Sequence, residues 1–171
     1  MRPEVRSFFN TLADALLPRG WLHFSVLEVA GAPVAFHFGF EFGGRLWLIY
    51  ATRDPSMQTQ MLVAATADLG SGFGRDAWTP VGDGPILKPE LPWETRCIEA
   101  PSVIQRGDTL YLFYGGGYNN DPQQIGCATS QDGVHWTRLF RQPLIPNGQP
   151  GEWNSSETGH PGTFTDADGR T

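Results

Sequence analysis

The feature that most constrains this chain is an internal repeat. Ala65-Thr66-Ala67 and Trp78 recur as Ala128-Thr129-Ser130 and Trp136, and Pro85-Ile86-Leu87 recurs as Pro143-Leu144-Ile145. Trp93 then pairs with Trp153, and Pro101 with Pro161. These ordered matches share a spacing of roughly 60 residues, the sign of one supersecondary unit used more than once. Such units do not bury their faces singly, so each has to pack against a neighbour.

After Met57 the chain shows no helix-period stretch, only short apolar and β-branched runs, Ile98 to Val103, Leu110 to Tyr114 and Ile125 to Ser130, set between Gly, Pro and Asp. A unit of roughly 60 residues with several short strands fits a four-stranded propeller blade with long outer loops. About one and a half to two blades are visible. In the register of the repeat Thr171 stands just before a strand, so a chain cut within a blade is expected.

Upstream the texture differs. From Pro3 to Leu17 the apolar residues Val5, Phe8, Phe9, Leu12, Leu16 and Leu17 recur at helical spacing, closed by Pro18 and Gly20. Trp21 to Val29, Val34 to Phe42 and Arg45 to Tyr50 follow as strands of an antiparallel meander, with Gly43-Gly44 at one turn. The expected fold is mainly β: a helix plus antiparallel meander over residues 1–56, then a partial propeller over residues 57–171.

Charge narrows the partners. The net charge is −6 and Lys88 is the sole lysine, so no basic stripe follows a phosphate backbone, and nucleic acid is not an expected partner. No apolar run reaches the 18 or more residues of a membrane helix, and no signal-peptide segment opens the chain, so as written a cytoplasmic location without membrane contact is expected. Cys97 and Cys127 lack metal or redox spacing and read as reduced core thiols.

Several motifs read as local structure. Asp132-Gly133 ahead of Trp136 is a two-residue hairpin signal, and so is Gly107-Asp108. Gly115-Gly116-Gly117 has no Lys-Ser or Lys-Thr after it, so it reads as a strand exit and not as a phosphate loop. The four repeat-related tryptophans favour packing between blades, although an aromatic at a rim also stacks on sugar rings.

From about Met61 onward the chain resembles the five-bladed propeller glycoside hydrolases, the arabinanase, xylosidase and fructosidase relatives. Trp78, Asp83-Gly84-Pro85-Ile86-Leu87, Ile98-Glu99-Ala100-Pro101-Ser102-Val103, Tyr111 to Tyr114, Ile125 to Ser130 with Asp132-Gly133 and Trp136, and Gly159-His160-Pro161 carry the likeness. The resemblance implies hydrolysis of O-glycosidic bonds in a carbohydrate, with three carboxylates in a central funnel. Glu99, in a Glu-x-Pro motif before an aromatic strand, takes the place of the general acid; a strand-edge carboxylate with a structural hydrogen bond is the alternative. His160 takes the place of a funnel histidine that supports the site or a central cation, the alternative being a turn residue before Pro161. Trp93 and Trp153 are candidate sugar-binding residues. No metal ligand set is identified, and neither the base Asp nor the pKa-tuning Asp has a counterpart.

Residues from about Arg6 to Pro55 resemble the FemAB-related branch of the GNAT-like acyltransferases. Phe8-Phe9, Leu12-Ala13, Pro18-Arg19-Gly20-Trp21-Leu22, Gly31-Ala32-Pro33-Val34-Ala35, His37-Phe38-Gly39-Phe40 and Gly43-Gly44-Arg45-Leu46 carry this likeness. It implies acyl-CoA as cofactor, and only under that reading. Ser56-Met57-Gln58-Thr59-Gln60 stands where a Gly-rich turn is needed to receive phosphates. A fusion of two fragments accounts for both likenesses.

Overall fold

In a computed structural model the described residues are 23–29, 32–72, 74–117 and 122–163. The helix expected between Pro3 and Leu17 lies outside them. Nine strands form two antiparallel sheets among the described residues. The first sheet holds β1 (His23–Val29), β2 (Ala32–Phe42), β3 (Arg45–Arg53), β4 (Gln60–Asp68) and β5 (Thr79–Pro80), each beside its successor. The second, in the same consecutive order, holds β6 (Ile98–Arg106), β7 (Thr109–Gly116), β8 (Gln124–Ser130) and β9 (Thr137–Arg138).

Turn chemistry sets the registers. Gly43 and Gly44 both have positive φ, 60° and 74°, the backbone of a tight turn whose twist matches the strands, and Phe42 pairs with Arg45 across it. Gly107 (φ 57°) serves the β6–β7 hairpin, where Arg106 pairs with Thr109. The expected two-residue hairpin at Asp132-Gly133 is corrected: six residues separate β8 from β9. Local bonding wins there, because Ser130 Oγ accepts the N–H of Asp132 and Gly133 while Asp132 Oδ1 accepts those of Val134 and His135.

The sequence repeat is a repeat of bonding. Leu62 N–H donates to Leu87 O and Ile86 N–H to Leu62 O; in the second sheet Ile125 N–H donates to Ile145 O and Leu144 N–H to Ile125 O. Val81 to Ala64 and Leu139 to Cys127 are a further equivalent pair. The expected domain boundary at 56/57 falls in the β3–β4 turn, within one sheet whose strands pair from Arg45–Asp68 to Arg53–Gln60.

The core lies between the sheets. Leu62, Leu87, Ile98, Leu112, Tyr114 and Ala128 are buried together, with Ile49, Ala51, Ile86, Trp93, Val103 and Trp136 packed against them. At one edge, Glu94, on the short 3-10 turn Pro92–Glu94, is wholly buried yet charged. Arg138 grips it with two bonds of 2.8 Å, Tyr114 donates its hydroxyl at 2.7 Å, and the N–H groups of Glu90 and Leu91 complete the shell. Burial alone would raise the Glu94 carboxyl; Arg138 and the N–H donors outweigh it and hold the group below its ordinary value of 4.5.

Removing one partner of a buried pair strands the other, at a cost of about 3–5 kcal/mol. Glu94→Gln is therefore expected to lower stability by about that amount in urea unfolding, with a double-mutant cycle showing strong coupling to Arg138. Because the folded carboxyl titrates below the unfolded one, the stabilisation is present above pH 4.5 and lost as pH falls, so the gap between wild type and variant should narrow in acid.

Candidate functional site

Glu99 sits where β6 is bent. Ile98 pairs with Gly116 and Glu99 with Gly115, but the next pair is Ser102 with Phe113, so Ala100-Pro101 forms a bulge. Pro101 has no N–H to give to a ladder, and Ala100 takes a φ of 49°; such a bulge re-aims the neighbouring side chain. The Glu99 side chain is 27% exposed.

Two amides hold its carboxylate. Gln60 Nε2 donates to Oε2 and Gln123 Nε2 to Oε1. Gln60 reaches it because the start of β4 lies alongside the start of β6, its N–H donating to Arg96 O at 2.9 Å. Gln123, just before β8, is buried, and its carbonyl accepts the N–H of Thr158 at 2.9 Å. His160 follows two residues later, its Nε2 3.7 Å from Glu99 Oε1 and its side chain 68% exposed. It is this contact that brings the two sequence-expected residues together.

The repeat explains the arrangement. Glu99-Ala100-Pro101 corresponds to Gly159-His160-Pro161, and Ala100 and His160 share the left-handed backbone, at φ 49° and 52°. Gly159 stands where the first unit has Glu99, and a Cβ there would lie 2.3 Å from Gln123 Oε1. The bare position lets Gln123 turn to Glu99. Gln60 and Gln123 are themselves equivalent, each two residues before Leu62 or Ile125. Sequence reasoning missed both glutamines; the repeat extended to those positions was the signal that could have found them.

The two tryptophan candidates part company. Trp93 is engaged between the sheets: its ring stacks on Tyr114 at 6.0 Å and 15°, and Nε1 donates to Arg141 O at 3.1 Å. Trp153 is 91% exposed.

Among the described residues neither implied cofactor finds a fitting set of side chains. Among the described residues no group of three or more His, Cys, Asp and Glu side chains is placed to hold a metal ion, at His160 or elsewhere. In the β3–β4 turn the N–H groups of Gln58 and Thr59 are taken by Asp54 Oδ1, and Ser56 Oγ donates to Oδ2. A phosphate would need those same donors, which an aspartate already fills. Among the described residues no helix is long and apolar enough to cross a membrane.

Solved glycoside hydrolases share the arrangement of sheets. A family 117 enzyme of Zobellia galactanivorans aligns with a TM-score of 0.57 at 21% identity, covering 72% of this chain and 42% of that one. The α-L-arabinofuranosidase of Lactobacillus brevis gives 0.58 at 21%, covering 78% and 41%. The β-xylosidase RS223 gives 0.57 at 17%, covering 77% and 40%. The fold is that of part of a glycoside hydrolase propeller. The chain spans about two fifths of these proteins. The likeness also covers more of the chain than the stretch from Met57 onward supplies, so it reaches upstream of that point. The acetyltransferase (GNAT) domain family matches residues 1–66, a stretch that includes β3 and most of β4. No curated protein matches the chain.

Both cysteines are free and buried, as expected of core thiols. Burial, and for Cys97 the nearby Glu99 charge, pushes each thiol up to about 11. Neither should be alkylated by iodoacetamide in the native protein at neutral pH, whereas both should react in urea; mass spectrometry of the adducts checks this.

Proposed function

We propose that this chain carries the acid-bearing part of a carbohydrate-active propeller that hydrolyses O-glycosidic bonds, with Glu99 as general acid. The observation that carries this reading is the partly exposed Glu99 carboxylate, oriented by two amides and flanked by His160. A general acid needs a fixed direction toward the leaving oxygen and one side open to substrate. The clamp supplies the first, and the exposed imidazole marks the second. His160 and the exposed Trp153 are the proposed sugar contacts, and the pentose-linked names of the neighbours make arabinosyl and xylosyl oligosaccharides the first probes.

Glycoside hydrolysis takes two carboxyl groups, about 6.5–9.5 Å apart for inversion. Glu99 supplies one of them, its two oxygens engaged by the amides of Gln60 and Gln123.

A second reading rests on the acetyltransferase (GNAT) match over residues 1–66. It predicts acyl-CoA binding in calorimetry and none of saccharide.

With arabino- and xylo-oligosaccharides as substrates, whose sugar leaving groups need a proton to depart, Glu99→Gln is expected to abolish the hydrolysis that wild type shows while leaving saccharide binding in place. An unchanged rate removes Glu99 from the role. Saccharide binding without hydrolysis in wild type makes the chain a binding module.

A further inference from the structure

Gln123 is only 6% exposed, and the two ends of its amide fare differently. Nε2 donates to Glu99 Oε1, whereas Gln123 Oε1 is buried with no hydrogen-bond partner among the described residues. A buried amide oxygen without a donor is uncommon enough to need a reason. The groups beside it sharpen the mismatch, because they are oxygens. A Cβ on Gly159 would overlap Gln123 Oε1, and Glu157 Oε1 lies 3.2 Å from that same point. A Cβ on Gly115 would meet Gln123 Oε1 at 3.2 Å and Glu99 O at 3.7 Å. Two acceptors thus share the side on which the amide presents a third.

Half a turn about the Cγ–Cδ bond exchanges the two ends. It carries Nε2 to the side of Glu157 and the Glu99 carbonyl, and Oε1 to the Glu99 carboxyl. Oxygen then faces oxygen, a contact that only a proton makes favourable. The turned amide therefore suits Glu99 as a carboxylic acid, and the observed one suits it as a carboxylate. Gly115 and Gly159 leave the flanks of the amide bare for that turn. The oxygen concerned is also the one on the open side: Glu99 Oε1 lies 3.7 Å from His160 Nε2, while Gln60 holds Oε2.

We infer that Gln123 is a positioning residue whose amide reverses with the protonation of Glu99, N–H toward the carboxylate and C=O toward the acid. The inference rests on the reading of Glu99 as general acid and adds how one carboxyl is held in both forms that the role requires. In the acid form the Glu99 O–H bonds to the Gln123 carbonyl. As a glycosidic C–O bond breaks, the proton passes to the leaving oxygen, the amide turns its N–H back to the carboxylate, and a solvent proton later restores the acid. The other titratable or charged groups around Glu99 are His160 beside it, Glu157 beyond Gln123, and Cys97, whose thiol also feels Arg53 and Arg96.

NMR of the full chain, with carboxyl carbons and side-chain amides labelled, tests this across pH without any substrate. As Glu99 takes up its proton, the nuclear Overhauser contacts from the Gln123 amide protons to the Hα protons of Gly115 and Gly159 should strengthen. The change should vanish in Glu99→Gln and persist in His160→Gln and Glu157→Gln. An amide whose contacts stay constant while Glu99 titrates, or one that changes in Glu99→Gln as well, overturns the inference. This readout needs no turnover, so a reversal seen in a chain that hydrolyses nothing upholds the inference and removes only the acid role. Kinetics give a second arm. Gln123→Met should lower kcat on xylo-oligosaccharides about tenfold with KM little changed, and spare a dinitrophenyl xyloside, whose leaving group departs without a proton. Equal losses on both substrates make Gln123 a packing residue and also overturn the inference.

Discussion

The Glu94–Arg138 pair is the contact on which the arrangement of the two sheets depends. Glu94 belongs to the connection leaving the first sheet and Arg138 to the last strand of the second, so the pair spans the interface. A buried carboxylate is tolerable only when its oxygens are filled, and here five donors fill two of them. The same condition is a demand for geometry: Arg138, Tyr114 and two backbone N–H groups satisfy it only when the sheets dock in one way. Tyr114 shows the reciprocal effect, since burial first and the adjacent carboxylate next push its hydroxyl up and keep it a donor.

That docking also builds the site. Cys97 N–H donates to Glu94 O, so the turn that buries Glu94 feeds directly into β6 and Glu99. Gln60 comes from the first sheet and Gln123 from the second, and both amides meet on one carboxylate only because the sheets are held together. Stability and candidate chemistry therefore share a short run of chain, from Leu91 to Pro101. A change at Glu94 would be felt at Glu99 through position and not through charge alone.

Much of this was legible from residue patterns. Strands and meander followed from β-branched and aromatic runs, and the repeat proved to be a repeat of hydrogen bonds. Glu99 and His160 stood out through the resemblance to the propeller glycoside hydrolases, one in its Glu-x-Pro motif and the other in Gly-His-Pro. Other features were not legible. An Asp-Gly pair suits a two-residue hairpin, but Ser130 and Asp132 side chains offered the backbone a different bonding pattern. Glutamines carry no charge to mark them, so the Gln60–Gln123 clamp went unnoticed although the repeat places the two residues equivalently. The change of texture near Met57 looked like a boundary, yet β3 and β4 pair across it for nine residues each. Pairing depends on register between distant strands, which composition does not encode.

The most direct test of the account is a titration with xylo- and arabino-oligosaccharides followed by NMR of the side-chain amides of Gln60 and Gln123, with the imidazole of His160 in the same spectra. If Glu99 and its clamp form the carbohydrate site, these signals move together and saturate with one affinity. Signals that stay still while others shift, or that stay still throughout, would contradict the assignment of this site to a sugar.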